Sequence, residues 1–169
     1  QVLSGAANTT SISFYIDHSN YNLLINNQAY SAWYGLFIEK ISTYNIIKNN
    51  TIANHLGPEL LVLNNANFNQ IYNNNFINNN MIGRVALLEN KLNLDAPIGG
   101  NYWSRFDGTL EGCYDSNGDH FCDSPYAFPD TGVDHLPWTI PNGWADAISP
   151  VTTHDAPEGW QNADFTITL

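Results

Sequence analysis

One seven-residue phrase occurs three times in this chain, and its spacing restricts the fold before any single residue is weighed. The copies read Tyr21-Asn22-Leu23-Leu24-Ile25-Asn26-Asn27, Tyr44-Asn45-Ile46-Ile47-Lys48-Asn49-Asn50 and Phe68-Asn69-Gln70-Ile71-Tyr72-Asn73-Asn74, set 23 and 24 residues apart. An aromatic, an Asn, a short apolar stretch and an Asn pair recur in register. A period of this length marks a solenoid, in which each repeat is one coil stacked on the last.

The coils are made of strands. Apolar runs such as Phe14-Tyr15-Ile16, Leu36-Phe37-Ile38 and Leu60-Leu61-Val62-Leu63 precede each phrase by a similar distance. They are short, rich in strand formers and broken by Asn and Gly, and none is long enough for an amphipathic helix. Asn tolerates the left-handed backbone of a tight corner better than most residues. Asn at equivalent corners of stacked strands can also form amide ladders. Asn73-Asn74-Asn75 and Asn78-Asn79-Asn80 read as two such corners. A disordered Asn-rich linker would lack the apolar positions that repeat in phase with the Asn positions.

Charge excludes one class of partner. The chain has 169 residues, a formal net charge of −11 and only five Lys and Arg, which are scattered. Phosphate backbones need clustered cations, so nucleic acid is not expected. No apolar run approaches the length of a membrane span. Gln1-Val2-Leu3-Ser4 has neither the basic start nor the apolar stretch of a signal peptide, which fits a processed chain or a piece of a longer one. The expected location is extracellular, at the cell surface.

Texture divides the chain into three parts. Residues 1–97 carry the coils, about three to four of them. Residues 98–146 are rich in Gly, Asp, Pro and Trp, and read as a cap in which Trp103, Trp138 and Trp144 cover the last coil. Residues 147–169 read as a linker and a terminal strand, Asp164, Phe165, Thr166, Ile167, Thr168 and Leu169, available for addition to a neighbouring sheet.

Within the cap, Asp115, Asn117, Asp119 and Asp123 stand at positions 1, 3, 5 and 9 of a loop, with Gly118 at the turn and the Phe121 carbonyl at position 7. Alternate oxygens at this spacing converge on a hard cation, and Ca²⁺ is the expected one. Tyr126 stands where an EF-hand would place its bidentate Glu, so Asp107, Asp130 or Asp134 is expected to complete the shell. Cys113 and Cys122 bracket the loop and read as a disulfide in an exported chain. A zinc site using both Cys with His120 and His135 is the rival, but the spacing matches no standard zinc pattern. Asn8 and Asn49 head N-glycosylation acceptor triplets.

The series Gly99-Gly100-Asn101-Tyr102-Trp103-Ser104, Asp115-Ser116-Asn117-Gly118-Asp119, Asp123-Ser124-Pro125-Tyr126 and Asp134-His135-Leu136-Pro137, preceded by Ile71-Tyr72-Asn73-Asn74-Asn75-Phe76-Ile77-Asn78-Asn79, resembles the end of NosD-like right-handed parallel β-helix domains of microbial, especially archaeal, surface proteins. These are of the carbohydrate-binding and sugar-hydrolase type. The resemblance covers about residues 12 to 138 and implies an all-β, right-handed parallel β-helix. The family usually has Gly where this chain has His120, and the Cys pair is an embellishment. The tail Thr152 to Trp160 is similar to the opening of Ig-like repeats in the same kind of protein.

Three functions suit such a chain. The first is a non-enzymatic structural block of the cell envelope or a filament, stabilised by calcium and self-associating through solenoid stacking or strand exchange, because the N-terminal coil has no evident cap. The second is a carbohydrate-binding module that takes a polysaccharide on Tyr30, Trp33, Tyr34, Tyr44, Phe68 or Tyr72, although such aromatics also fill cores or stack between coils. The third is a polysaccharide hydrolase or lyase. The coils offer it Asp17, Glu39, Glu59 and Glu89, with Asp17 and Glu39 placed to stack on adjacent coils. The structural block is the expected role, and catalysis is not expected.

Overall fold

The computed structural model describes residues 2–4, 11–63, 65–86 and 89–147. In chain order the strands are β1 (Val2–Ser4), β2 (Ile12–Asp17), β3 (Leu23–Ile25), β4 (Gln28–Tyr30), β5 (Tyr34–Glu39), β6 (Ile46–Lys48), β7 (Thr51–Ala53), β8 (Leu60–Val62), β9 (Gln70–Tyr72), β10 (Asn75–Ile77), β11 (Arg84–Val85), β12 (Tyr102–Trp103), β13 (Tyr126–Ala127) and β14 (Val133–Asp134). A single turn of helix, α1 (Trp144–Ala147), follows. Strands from successive coils pair in parallel into three sheets, β1-β4-β7-β10-β12, β2-β5-β8-β11 and β3-β6-β9. This is the parallel β-solenoid that the repeat spacing predicts. Strands β13 and β14 form a separate antiparallel pair.

Register places like on like. Leu24, Ile47 and Ile71 form one inward column, and Ile16, Ile38, Val62 and Val85 another. The third column grows along the axis, from Ala29 through Ile52 and Phe76 to Trp103. All of these but Leu24, which is partly buried, lie in the core. Each fully buried aliphatic side chain contributes roughly 1.5–3 kcal/mol over leaving it in water. Trp103 stacks on Phe76 at 4.3 Å and on Tyr126 at 4.7 Å, so the cap continues the column instead of merely covering it. Sheet β1-β4-β7-β10-β12 thus takes its last strand from beyond residue 97, where the cap was expected to begin.

The corners are left-handed, as the Asn pattern predicts. Asn26, Asn49, Asn54, Asn73 and Asn78 all have positive φ. So do Tyr21, Tyr44 and Phe68, at 57–58°. That conformation is costly for a bulky residue. Here the rings gain a surface stack as an offset: Tyr21–Tyr44 and Tyr44–Phe68 lie 5.3 and 5.0 Å apart, each tilted by only 5°.

Candidate functional site

Two Asn ladders run the length of the coils. In one, Asn22, Asn45 and Asn69 each donate both a backbone N–H and a side-chain N–H to the Oδ1 of the next rung, ending on Asn90. In the other, Asn27, Asn50 and Asn74 do the same, ending on Asn101. Asn45, Asn50, Asn69, Asn74 and Asn101 are fully buried. From rung to rung the backbone N–H and one side-chain N–H point toward the C-terminal end, while the other side-chain N–H of Asn45, Asn50, Asn69 and Asn74 turns back to a carbonyl of the preceding coil; the rung-to-rung bonds thus give each ladder a direction.

The finish is closed. Asn101 donates its backbone N–H to Asp134 Oδ2 at 2.7 Å, and the Trp103 indole N–H reaches the same oxygen at 2.9 Å. Leu136 N–H donates to Oδ1 at 3.1 Å. Asp134 is wholly buried, and burial pushes its carboxyl up to about 7 although these donors pull it down. A carboxylate suits a ladder end because it accepts several bonds and requires no onward acceptor. A Cβ on Gly100 would run into it. The other ladder stops differently. Asn90 turns its side-chain N–H groups back to Ala66 O and Ala86 O.

The start is different. Among the described residues β3 is the first strand of its sheet, and Tyr21 and Leu23 beside it are 77% and 60% exposed. Asn22, the first rung of its ladder among the described residues, is also exposed.

The acidic loop winds about Asp115, whose carboxylate accepts from its backbone. Its Oδ1 accepts from Gly118 N–H at 2.7 Å and Asp119 N–H at 3.2 Å, and its Oδ2 accepts from His120 N–H at 3.1 Å. Asn117 Oδ1 accepts from Asp119 N–H, Asp119 Oδ1 from Phe121 N–H, and Asp123 Oδ2 from Ser116 N–H. The four polar side chains are exposed and Phe121 is buried. His120 has φ 72°, a left-handed conformation that suits Gly better than His. Cys113 and Cys122 are joined in a disulfide, Cα to Cα 4.8 Å, which leaves no thiolate for zinc. The described residues contain no cluster of three or more His, Cys, Asp or Glu side chains arranged to hold a metal.

The three expected outside ligands are engaged elsewhere. Asp107 accepts from the Tyr102 hydroxyl, Asp130 pairs with Arg84 at 2.9 Å, and Asp134 terminates the ladder. The pattern around Asp134 belonged to the sequence resemblance, but its contact with Asn101 was missed because 33 residues separate them. The signal was present: Asn101 continues the series Asn27, Asn50, Asn74, and a ladder of donors must end on an acceptor.

Asp17 and Glu39 do lie side by side on β2 and β5. Lys40 Nζ sits 3.5 Å from one and 3.3 Å from the other, and the Tyr15 hydroxyl donates to Glu39. Glu59 is buried beside Arg105 and accepts from the Tyr126 hydroxyl; burial pushes it up to about 7. Asn49 lies partly exposed at its corner, while its neighbour Asn50 takes the ladder position. Asn8 and the segment Asp164 to Leu169 lie outside the described residues.

Among the described residues, no helix is long and apolar enough to cross a membrane. No curated protein and no solved structure matches the chain significantly. A family model described as "Periplasmic copper-binding protein (NosD)" matches residues 4–108, from the first coil to just past β12 and short of the disulfide loop. That match covers more than half of the chain, and the chain belongs to the NosD family.

Proposed function

We propose that this chain is a non-enzymatic structural block of the cell surface, a rigid stack of coils assembling with its neighbours through β-contacts. The observation that carries this reading is the pair of Asn ladders, which tie each described coil to the next through buried hydrogen bonds. Trp103, Trp138 and Asp134 continue that buried packing beyond the last coil. Such a solenoid is stiff along its axis and offers strands for pairing with other chains. The disulfide fits an oxidising location outside the cytoplasm.

Amide hydrogen exchange tests this role. In isolated cell envelope, the strand amides from Ile12 to Ile77 should exchange far more slowly than in the purified chain. Equal exchange in both would remove the reading.

Calcium enters as a stabiliser of the loop from Asp115 to Asp123. Its support is the order of ligand-type residues and the disulfide that holds the loop closed. Copper, named in the family's description, does not fit the described residues. The two Cys are bonded to each other, and both ring nitrogens of His55 are engaged, by Ser13 and Asn79. Absence of catalysis is supported by the Asp17–Glu39 pair being bridged by Lys40, which ties both carboxylates to one ammonium.

A second reading, polysaccharide binding, rests on one surface. The Tyr21–Tyr44–Phe68 stack ends at a cavity of about 190 Å³ where Gln70, Glu89 and Lys91 border Phe68. A ring face beside polar groups suits a sugar. Phe68→Ala should then abolish retention on a polysaccharide matrix; retention equal to the parent chain would dismiss this reading.

A further inference from the structure

The chain holds two Asn-Gly pairs, Asn117-Gly118 and Asn142-Gly143, and the fold treats them oppositely. An Asn side chain can react with its own backbone. The nitrogen of the next residue attacks Cγ and closes a succinimide ring. A following Gly favours closure, because it has no Cβ in the way and its backbone turns freely.

Asn117 has the parts for this reaction in place. It lies exposed in the loop closed by Cys113 and Cys122. The Gly118 N–H, whose nitrogen is the nucleophile, donates to Asp115 Oδ1 at 2.7 Å. Asn117 Oδ1, where negative charge gathers as Cγ is attacked, accepts from the Asp119 N–H at 2.9 Å. Asn117 Nδ2, the leaving group, donates to Asp119 Oδ2 at 3.0 Å. Gly118 has φ 77°, and a Cβ placed on it would meet no atom within 4 Å, so its peptide has room to turn toward Cγ.

Asn142 has no such arrangement. Gly143 is buried, and a Cβ on it would strike the Trp138 ring. The Gly143 N–H donates to Ile140 O, a carbonyl and therefore no base. Asn142 is itself clamped to Asn75: its backbone N–H donates to Asn75 Oδ1 at 2.9 Å, and its Oδ1 accepts from Asn75 Nδ2 at 2.8 Å. Packing holds this pair away from ring closure.

We infer that Asn117 is a site of self-catalysed deamidation, with Asp115 as the base and the Asp119 N–H as the oxyanion donor. The step balances. Gly118 N bonds to Asn117 Cγ as its proton passes to Asp115. The oxyanion collapses, the Cγ–Nδ2 bond breaks, and Nδ2 leaves as ammonia with the proton that Asp115 held. Water then opens the ring, at Cγ to give aspartate or at the backbone carbonyl to give isoaspartate. Either product adds one negative charge to a loop that already carries Asp115, Asp119 and Asp123.

The second pair is a built-in control. The chain is aged at neutral pH with chelator, so that no cation competes for Asp115, once folded and once reduced and unfolded in guanidinium. Peptide mapping by mass spectrometry follows the gain of one mass unit at each Asn and separates isoaspartate from aspartate. In the unfolded chain the two pairs should convert at similar rates. Folding should slow Asn142 by at least about tenfold and leave Asn117 no slower, with isoaspartate among its products. Asp115→Asn keeps an oxygen for the N–H groups of the loop but is a far weaker base, and should slow Asn117 in the folded chain about tenfold or more. Protection of Asn117 on folding to the extent seen at Asn142 overturns the inference, as does an unchanged rate in Asp115→Asn. Aspartate formed without isoaspartate overturns it too, since water and not Gly118 would then be the attacking group.

Discussion

The first and the last described rungs of this solenoid carry the same amide ladder in different surroundings. At the C-terminal end, stacked donors and a broad apolar column meet a buried carboxylate and two fully buried indoles, Trp103 and Trp138. At the first described rung, Asn22, Tyr21 and Leu23 are all exposed. The lesson is that an amide ladder has a polarity. Only a group that accepts without needing to donate can end its donor side, and Asp134 in its ionised form is such a group.

Replacement of Asp134 gives the largest test of that contrast. Asp134→Ala leaves the buried N–H groups of Asn101 and Trp103 without an acceptor, and should cost on the order of 3–5 kcal/mol in a denaturant melt followed by Trp fluorescence. A loss below about 1 kcal/mol would mean that the cap does not depend on this acceptor. Within the ladder, position should matter as much as chemistry. Asn74→Ala, which breaks bonds to Ile47, Tyr72, Asn50 and Asn101, should cost about 3 kcal/mol. Asn22→Ala at the exposed start should cost less than about 1 kcal/mol. Equal costs would erase the distinction between the ends.

Reduction of Cys113–Cys122 should cost about 2–3 kcal/mol by chain entropy, and should loosen the loop before the coils. Unchanged exchange at Ser116 to Phe121 after reduction would contradict this.

The buried carboxyls make a pH test. Burial pushes Glu59 and Asp134 up to about 7. The native state therefore holds protons that the unfolded chain releases above about pH 4. Their contribution is fully present below that pH and is lost as pH rises to about 7, so the slope of stability with pH is negative in this window. Melting temperature should fall more steeply from pH 4 to 7 in the parent chain than in Glu59→Gln; parallel curves would refute the assignment.

Calcium removal should have the smallest effect, a shift of a few degrees in melting temperature, because the polar side chains of Asp115, Asn117, Asp119 and Asp123 are exposed. An identical melt with and without chelator would end the calcium reading.

Much of the coil was legible in the sequence, because a solenoid writes its period linearly. Each residue's partner lies one repeat away, so the Asn positions and the inward columns Leu24-Ile47-Ile71 and Ala29-Ile52-Phe76 follow from the spacing. The disulfide was legible because only two Cys exist and nine positions separate them. The left-handed backbone at Tyr21, Tyr44 and Phe68 was not, since no propensity favours an aromatic there and only the ring stack across coils offsets its cost.

What the sequence alone determined was the repeat, the strands within it and the left-handed Asn corners, all local or periodic properties. Tertiary structure alone decided the fate of the carboxylates. Asp107, Asp130 and Asp134 are equivalent as letters, yet one meets a phenol, one an arginine and one the end of a ladder. The physical reason is that a carboxylate's role depends on which donors surround it in space, and outside the repeat no spacing rule brings those donors together.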